Sequence, residues 1–129
     1  MKTDPGSPSD WFMMAADRLE KADALFERFG SSWSGVELLH EAAERYLKGF
    51  LVSREWNVVK THDLNRLLAE ACERDPRFEE FAAACRNLTE QFWEQHYPGG
   101  ELDEVGEDYP EIRDALERMI QLIKVLCAA

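Results

Sequence analysis

The stretch Val36–Arg54 reads VELLHEAAERYLKGFLVSR, and THDLNRLL follows it at Thr61–Leu68. Its apolar residues recur every three or four positions in two neighbouring lines, one of Val36, Leu39, Ala43, Leu47 and Phe50 and one of Leu38, Ala42, Tyr46 and Leu51. Residues at this spacing share a helix face, so the two lines merge into a wide apolar face. A helix with such a face is expected to pack against several others or against a second subunit.

Four more segments outward from this stretch also have helical spacing. We predict a first helix from a cap at Ser9 or Asp10 to about Arg28, a second from a cap at Ser32 or Ser34 to about Arg54, a third from Thr61 or His62, a fourth from Pro76 to about His96, and a fifth from about Pro110 onward. Alternation typical of strands is absent from the sequence. The predicted fold is all-α, an antiparallel up-and-down bundle of four to five helices, with residues 1–9 as a disordered lead-in and 10–129 as the domain.

Composition limits the class of protein. At 129 residues the chain has the length of one domain, and no apolar run reaches the roughly 18–20 residues of a membrane helix. The N-terminus lacks the apolar core of a signal peptide, so we expect a cytoplasmic protein without a membrane partner. The three cysteines, Cys72, Cys85 and Cys127, have no C-x-x-C spacing and are expected to be free thiols.

Charge is distributed unevenly along the chain. The net charge of −11 opposes binding of nucleic acid over a broad basic surface. Acidic residues dominate between Tyr97 and Ile112, where Lys and Arg are absent. The balance reverses in a basic region made of Arg45, Lys48, Arg54, Lys60 and Arg66. An anionic partner is therefore expected to use the basic region.

Two motifs in this part of the chain resemble those of the HEPN family (higher eukaryotes and prokaryotes nucleotide-binding). The helix motif H-x-x-x-E-x-x-L-K-x-x-L and the later H-D-L fall here on His40, Glu44, Leu47, Lys48, Leu51, His62, Asp63 and Leu64. The FWEQHYPGG stretch fits as well, although many relatives have Arg where this chain has His96. The resemblance implies the same helical fold and self-association into a homodimer. It also implies binding of a nucleotide, an RNA or a partner protein. In toxin–antitoxin pairs that partner protein is a minimal nucleotidyltransferase.

Catalytic ribonucleases of this family carry an Arg and a His separated by four to six residues. Arg86 and His96 have nine residues between them, and Arg54 and His62 have seven. Neither pair has the required spacing, so the prediction leans toward a non-catalytic module that binds a nucleotide or a partner. A toxin-type ribonuclease with a non-standard active site stays open as the alternative.

Metal sites find little support in the sequence. Glu37 and His40 match the Glu-x-x-His unit of di-iron bundles, but a second such unit is missing. We therefore predict no metal and no cofactor, and we expect His40 to hydrogen-bond to a nearby Glu. His62 and Asp63 at a helix start are expected to act in a cap, with anion binding or catalysis as the alternative.

The predicted binding site combines the basic region with two neighbours. If the second and third helices form an antiparallel pair, their charges gather near the connector, where Trp56 offers a surface for base stacking and the third helix offers N–H groups to a phosphate. The alternative is an ordinary solvated surface. The candidate residues are Arg45, Lys48, Arg54, Trp56, Lys60, His62 and Arg66.

Overall fold

A computed structural model describes residues 1–128 and contains five α-helices. They are α1 (Pro8–Phe29), α2 (Trp33–Ser53), α3 (Leu64–Arg74), α4 (Ala82–His96) and α5 (Tyr109–Cys127), with a 3₁₀ segment at Pro76–Phe81 before α4. No strand occurs in these 128 residues. The predicted all-α bundle is confirmed.

The central element is α2, which packs against all four other helices. Its wide apolar face is fully used inside one chain, because Val36, Leu39, Leu47, Phe50 and Leu51 are each completely buried. The width of this face therefore gives no reason for a second subunit. The homodimer stays a prediction that the family resemblance supplies.

Close contact between α1 and α2 depends on Gly49. A Cβ atom at this position would lie 2.5 Å from Cε1 of Phe12 and 3.0 Å from Cβ of Trp11. Glycine inside a helix lowers helix stability by about 1 kcal/mol relative to alanine. The missing side chain of Gly49 therefore allows α1 to approach α2 closely.

The first two helices are each capped by a serine side chain. The α1 cap is Ser7, whose hydroxyl accepts the N–H of Asp10, so the prediction of Ser9 or Asp10 is wrong. Pro8 then occupies the first turn, where its missing N–H has no cost, and the predicted boundary after residue 9 falls inside α1. For α2 the Ser32 alternative is right, since its Oγ accepts the N–H of Gly35 at 3.0 Å.

The later elements differ in detail from the prediction. The third helix begins at Leu64, later than the predicted Thr61 or His62, and Asp63 is its cap. The predicted fourth helix is divided, because Pro76–Phe81 winds as a 3₁₀ segment before α4 starts at Ala82. Phe78 and Phe81 in that segment are buried, so the tighter winding still presents apolar side chains to the core.

The connector between α2 and α3 folds back along α2. After Glu55, which has a positive φ of 63°, the chain returns until His62 lies beside Glu44 in the middle of α2. Beyond α3, Phe78 packs on Phe50 with 4.7 Å between ring centroids. The third helix therefore starts beside the middle of α2 and advances toward its end, instead of starting at that end as the predicted charge cluster assumed.

Contacts between α1 and α5 are made by side chains at one end of these two helices. The Tyr109 hydroxyl donates to the carbonyl of Ala22 at 3.1 Å, and the Tyr109 ring stacks on Phe26 at 4.9 Å. Arg113 adds a two-pronged contact with Asp23 at 2.8 and 3.0 Å. Among residues 1–128, no helix has both the length and the apolar character needed to cross a membrane.

Candidate functional site on the central helix

Three polar residues lie one turn apart on α2 and are buried. His40, Glu44 and Lys48 are exposed by only 1%, 3% and 5%, respectively. Burying a charged group costs several kcal/mol unless the group is paired and hydrogen-bonded. This row is therefore where the chain departs most from a simple apolar core.

Glu44 joins the row to the connector. Its Oε2 accepts a hydrogen bond from Lys48 Nζ at 3.0 Å, and its Oε1 accepts one from His62 Nδ1 at 2.8 Å. Burial alone would raise the pKa of Glu44, but the hydrogen bonds from His62 and Lys48 outweigh it and lower that pKa. Lys48 Nζ also lies 5.5 Å from the centre of the Trp11 ring. Glu44 is thus an ionised carboxylate held between two donors.

His62 is anchored on one side and open on the other. Its side chain is 76% exposed although Nδ1 contacts the buried Glu44. An ionised carboxylate only accepts hydrogen bonds, so Nδ1 carries the proton and Nε2 is the nitrogen left for a ligand. Fixing an imidazole in this way is how proteins orient histidines that bind ligands or transfer protons.

His40 is held by packing rather than by a carboxylate. Its ring stacks on Phe92 at 4.5 Å, and Phe92 stacks on His96 at 4.1 Å. Within residues 1–128, His40 Nε2 has no hydrogen-bond partner, and burial lowers the pKa of His40 to about 4. The expectation that His40 bonds to a nearby Glu is wrong, because Glu37 pairs instead with His96 at 2.7 Å.

Two of the predicted site residues on α2 are drawn inward. Lys48 is buried against Glu44, so its assignment to an exposed binding patch is wrong. Arg45 is half-buried, and its Nη1 donates to the carbonyl of Glu41 at 3.1 Å. Lys48 can be buried because Glu44 provides a buried ionic partner, whereas Arg45 is held by the Glu41 carbonyl.

Arg54 and Trp56 lie at the C-terminal end of α2, away from the start of α3. Arg54 donates to the carbonyl of Leu126 at 3.0 Å and lies 5.1 Å over the Phe50 ring. Trp56 is half-buried and packs against the core, so it offers only part of its ring to a ligand. The connector therefore separates this pair from the other predicted residues.

The remaining three predicted residues, Lys60, His62 and Arg66, lie near the start of α3 in sequence. Lys60 and Arg66 are exposed, and their side chains make no ion pair or hydrogen bond within the described part of the chain. His62 lies between them in sequence. The Asp63 carboxylate accepts the N–H groups of Asn65 and Arg66 at 3.0 and 3.4 Å, which confirms the cap.

Sequence reasoning left Glu44 and His40 out of the binding site, although both belong to the quoted motif. The available signal was the spacing of His40, Glu44 and Lys48 by four, which places three polar side chains on one face of a largely apolar helix. In the 1–128 range, no group of three or more His, Cys, Asp and Glu side chains is arranged to hold a metal ion, and the three cysteines are free.

Comparison with known proteins identifies the family. The family model of the HEPN domain matches residues 8–128, which is nearly the whole chain. The chain therefore belongs to the HEPN domain family. No curated protein and no solved structure gave a match.

Proposed function

We propose that this HEPN domain is a non-catalytic binding module that takes up a nucleotide or a partner protein, the partner being a minimal nucleotidyltransferase. The contact surface is the start of α3 with Lys60, His62 and Arg66. One observation carries the proposal: in a chain with a net charge of −11, Lys60 and Arg66 are exposed without an ion pair to a described residue, on either side of an anchored histidine.

The physical basis is electrostatic. Phosphate groups are attracted to unpaired cations, whereas the positive end of the α3 dipole is already met by the Asp63 carboxylate that caps it. His62 needs little ordering upon binding because Glu44 already holds its ring. Three free cysteines fit the reducing cytoplasm, where the proposal places the protein.

Calorimetry with ATP, GTP and a short single-stranded RNA tests the ligand. Replacing both cations in Lys60→Ala/Arg66→Ala should weaken binding at least tenfold, since each hydrogen bond to a charged group contributes about 1.5–3 kcal/mol. The matched control is Lys21→Ala/Arg28→Ala on α1, which removes the same charge elsewhere. Equal effects of the two double variants would mean that binding follows net charge, and the proposed surface would be refuted.

A pull-down with a minimal nucleotidyltransferase tests the partner. Retention of that enzyme by the wild-type chain and its loss with Lys60→Ala/Arg66→Ala supports the surface. Lys48 is unsuitable for either test, because its replacement breaks a buried ion pair and changes stability as well as charge.

A second candidate function is a toxin-type ribonuclease, and the His62–Glu44 pair is the observation in its favour. A carboxylate behind Nδ1 and an open Nε2 is an arrangement suited to proton transfer, with Lys60 and Arg66 near enough in sequence to face a phosphate. Incubation with labelled RNA decides between the two functions. Cleavage by the wild type that disappears with His62→Gln establishes the enzyme, whereas absence of cleavage supports the binding module.

A further inference from the structure

An open groove of about 530 Å³ lies between the first half of α1 and the last half of α5. Its walls are mostly apolar and include Phe12, Met13, Ala16 and Ile123, while Tyr46 of α2 also contributes to its lining. A pocket of this size and composition is typical of sites for small molecules. The groove does not overlap with the start of α3.

The groove exists because α1 and α5 meet only at their other ends. The contacts of Tyr109 with Ala22 and of Arg113 with Asp23 hold the last part of α1 near the first part of α5. Near its own start, α1 instead packs closely on α2 over Gly49. The space beside Tyr46 is therefore left open between the two helices.

Two polar groups in the groove have no protein partner. Tyr46 is 7% exposed, and its hydroxyl makes no hydrogen bond to any residue in 1–128. Lys124 is the one charged residue among those that line the groove, and its ammonium forms no ion pair with the described residues. The hydroxyl and the ammonium are therefore both free to hydrogen-bond to a ligand in the groove.

We propose that this groove binds a monocarboxylate with an unbranched acyl chain of medium length. The acyl chain fits the apolar walls, and one carboxylate matches one lysine and one unpaired hydroxyl. A nucleotide is a poor match, because several negative charges would meet a single cation and its polar base would meet apolar walls. Each methylene transferred from water into the groove should raise affinity about fourfold, so decanoate, which has two more methylenes, should bind roughly fifteenfold more tightly than octanoate.

Calorimetry with octanoate, decanoate and decanol, below their micellar concentrations, tests the proposal on the full chain. Lys124→Gln should weaken decanoate about tenfold and change decanol less than twofold, because decanol has no charge. Tyr46→Phe should weaken decanoate about fivefold while leaving the melting temperature unchanged or higher, since the hydroxyl has no protein partner to lose. Ala16→Phe fills the groove from an exposed position and should abolish both decanoate and decanol binding.

Lys21→Gln is the control for charge, because Lys21 pairs with Asp17 on α1 and does not line the groove. The proposal is overturned if decanoate fails to bind the folded wild type, or if Lys21→Gln weakens decanoate as much as Lys124→Gln does. It is also overturned if sedimentation shows a dimer that Ala16→Phe dissociates and that excludes decanoate, because a second copy would then occupy the groove.

Discussion

Glu44 lies where an unpaired charge would be costly, and Lys48 and His62 remove much of that cost. Replacing Lys48 with methionine keeps most of the apolar stem of the side chain but leaves the carboxylate with His62 alone. We expect Lys48→Met to lower the free energy of unfolding by about 3 kcal/mol. Urea denaturation at neutral pH measures the change.

The control for this prediction is Lys21→Met, which removes an exposed lysine that also pairs with a carboxylate four residues earlier. Exposed pairs contribute about 0–1 kcal/mol, so its effect should be small. The double variant Glu44→Leu/Lys48→Met should recover most of the lost stability, because it removes both buried charges. Equal effects of Lys48→Met and Lys21→Met would contradict the importance of the buried pair.

His40 makes stability depend on pH. Burial lowers its pKa from 6.5 to about 4, so the unfolded chain binds a proton at a pH where the folded chain does not. The contribution of His40 is complete above pH 6.5 and is lost as the pH falls from 6.5 to about 4. The full loss is of the order of 3 kcal/mol. Glu44, Glu37 and His62 are the titratable neighbours that influence this pKa.

The variant His40→Gln tests this prediction, because glutamine does not titrate. Denaturation curves at pH 7, 6 and 5 should show a smaller decrease in stability for the variant than for the wild type. An identical decrease in both proteins would show that another group is responsible. The two proteins are compared by the slope of their unfolding free energy against pH. A loss of stability in the variant that is the same at every pH therefore does not affect the comparison.

At the scale of elements, the contact between α1 and α2 depends on a missing side chain. Gly49→Ala improves helix propensity by about 1 kcal/mol, but its Cβ would lie 2.5 Å from the Phe12 ring. Because Trp11 is also close, we expect a net destabilisation of about 1–2 kcal/mol as α1 is displaced. Thermal unfolding measures it, with Ala24→Gly at an exposed α1 site as the calibration of propensity. A Gly49→Ala variant more stable than the wild type would contradict this prediction, because it would show that α1 moves away from the added methyl group at little cost.

Elements with strong periodicity and clear end signals could be predicted from the sequence. The extent of α2 follows from local chemistry and was predicted correctly, and its cap, Ser32, is one of the two serines predicted. The α1 cap was missed because Ser7 and Ser9 carry the same hydroxyl, and only the helical path favours Ser7. The 3₁₀ segment was missed because apolar spacing of three suits both kinds of helix.

The candidate site was harder to predict because its parts meet through tertiary structure. Spacing placed Arg45 and Lys48 on α2, but it does not reveal that Glu44 draws Lys48 inward. The return of the connector along α2 brings His62 to Glu44, eighteen residues earlier in the chain. Nothing local to residues 54–63 predicts that path, so the predicted cluster of charges was divided between two places.

At the scale of the whole molecule, self-association stays a prediction. The aromatic residues Trp33, Trp93 and Tyr97 are 51%, 49% and 61% exposed, and such side chains are enriched at interfaces between proteins. We therefore expect a homodimer in light scattering at tens of micromolar. Trp93→Glu should shift it toward monomer, whereas Met1→Glu, at a fully exposed site, should not. A wild-type monomer at that concentration would contradict the prediction.

The central position of α2 also has a consequence for synthesis on the ribosome. This helix leaves the ribosome early, together with α1, whereas α5, which also covers it, ends roughly 70 residues later, several seconds at about 5–20 residues per second. During that interval the nascent chain displays the most apolar surface of the domain without its cover. Ribosome-associated chaperones that bind emerging apolar segments should therefore bind α2 first and release it when α5 packs against it.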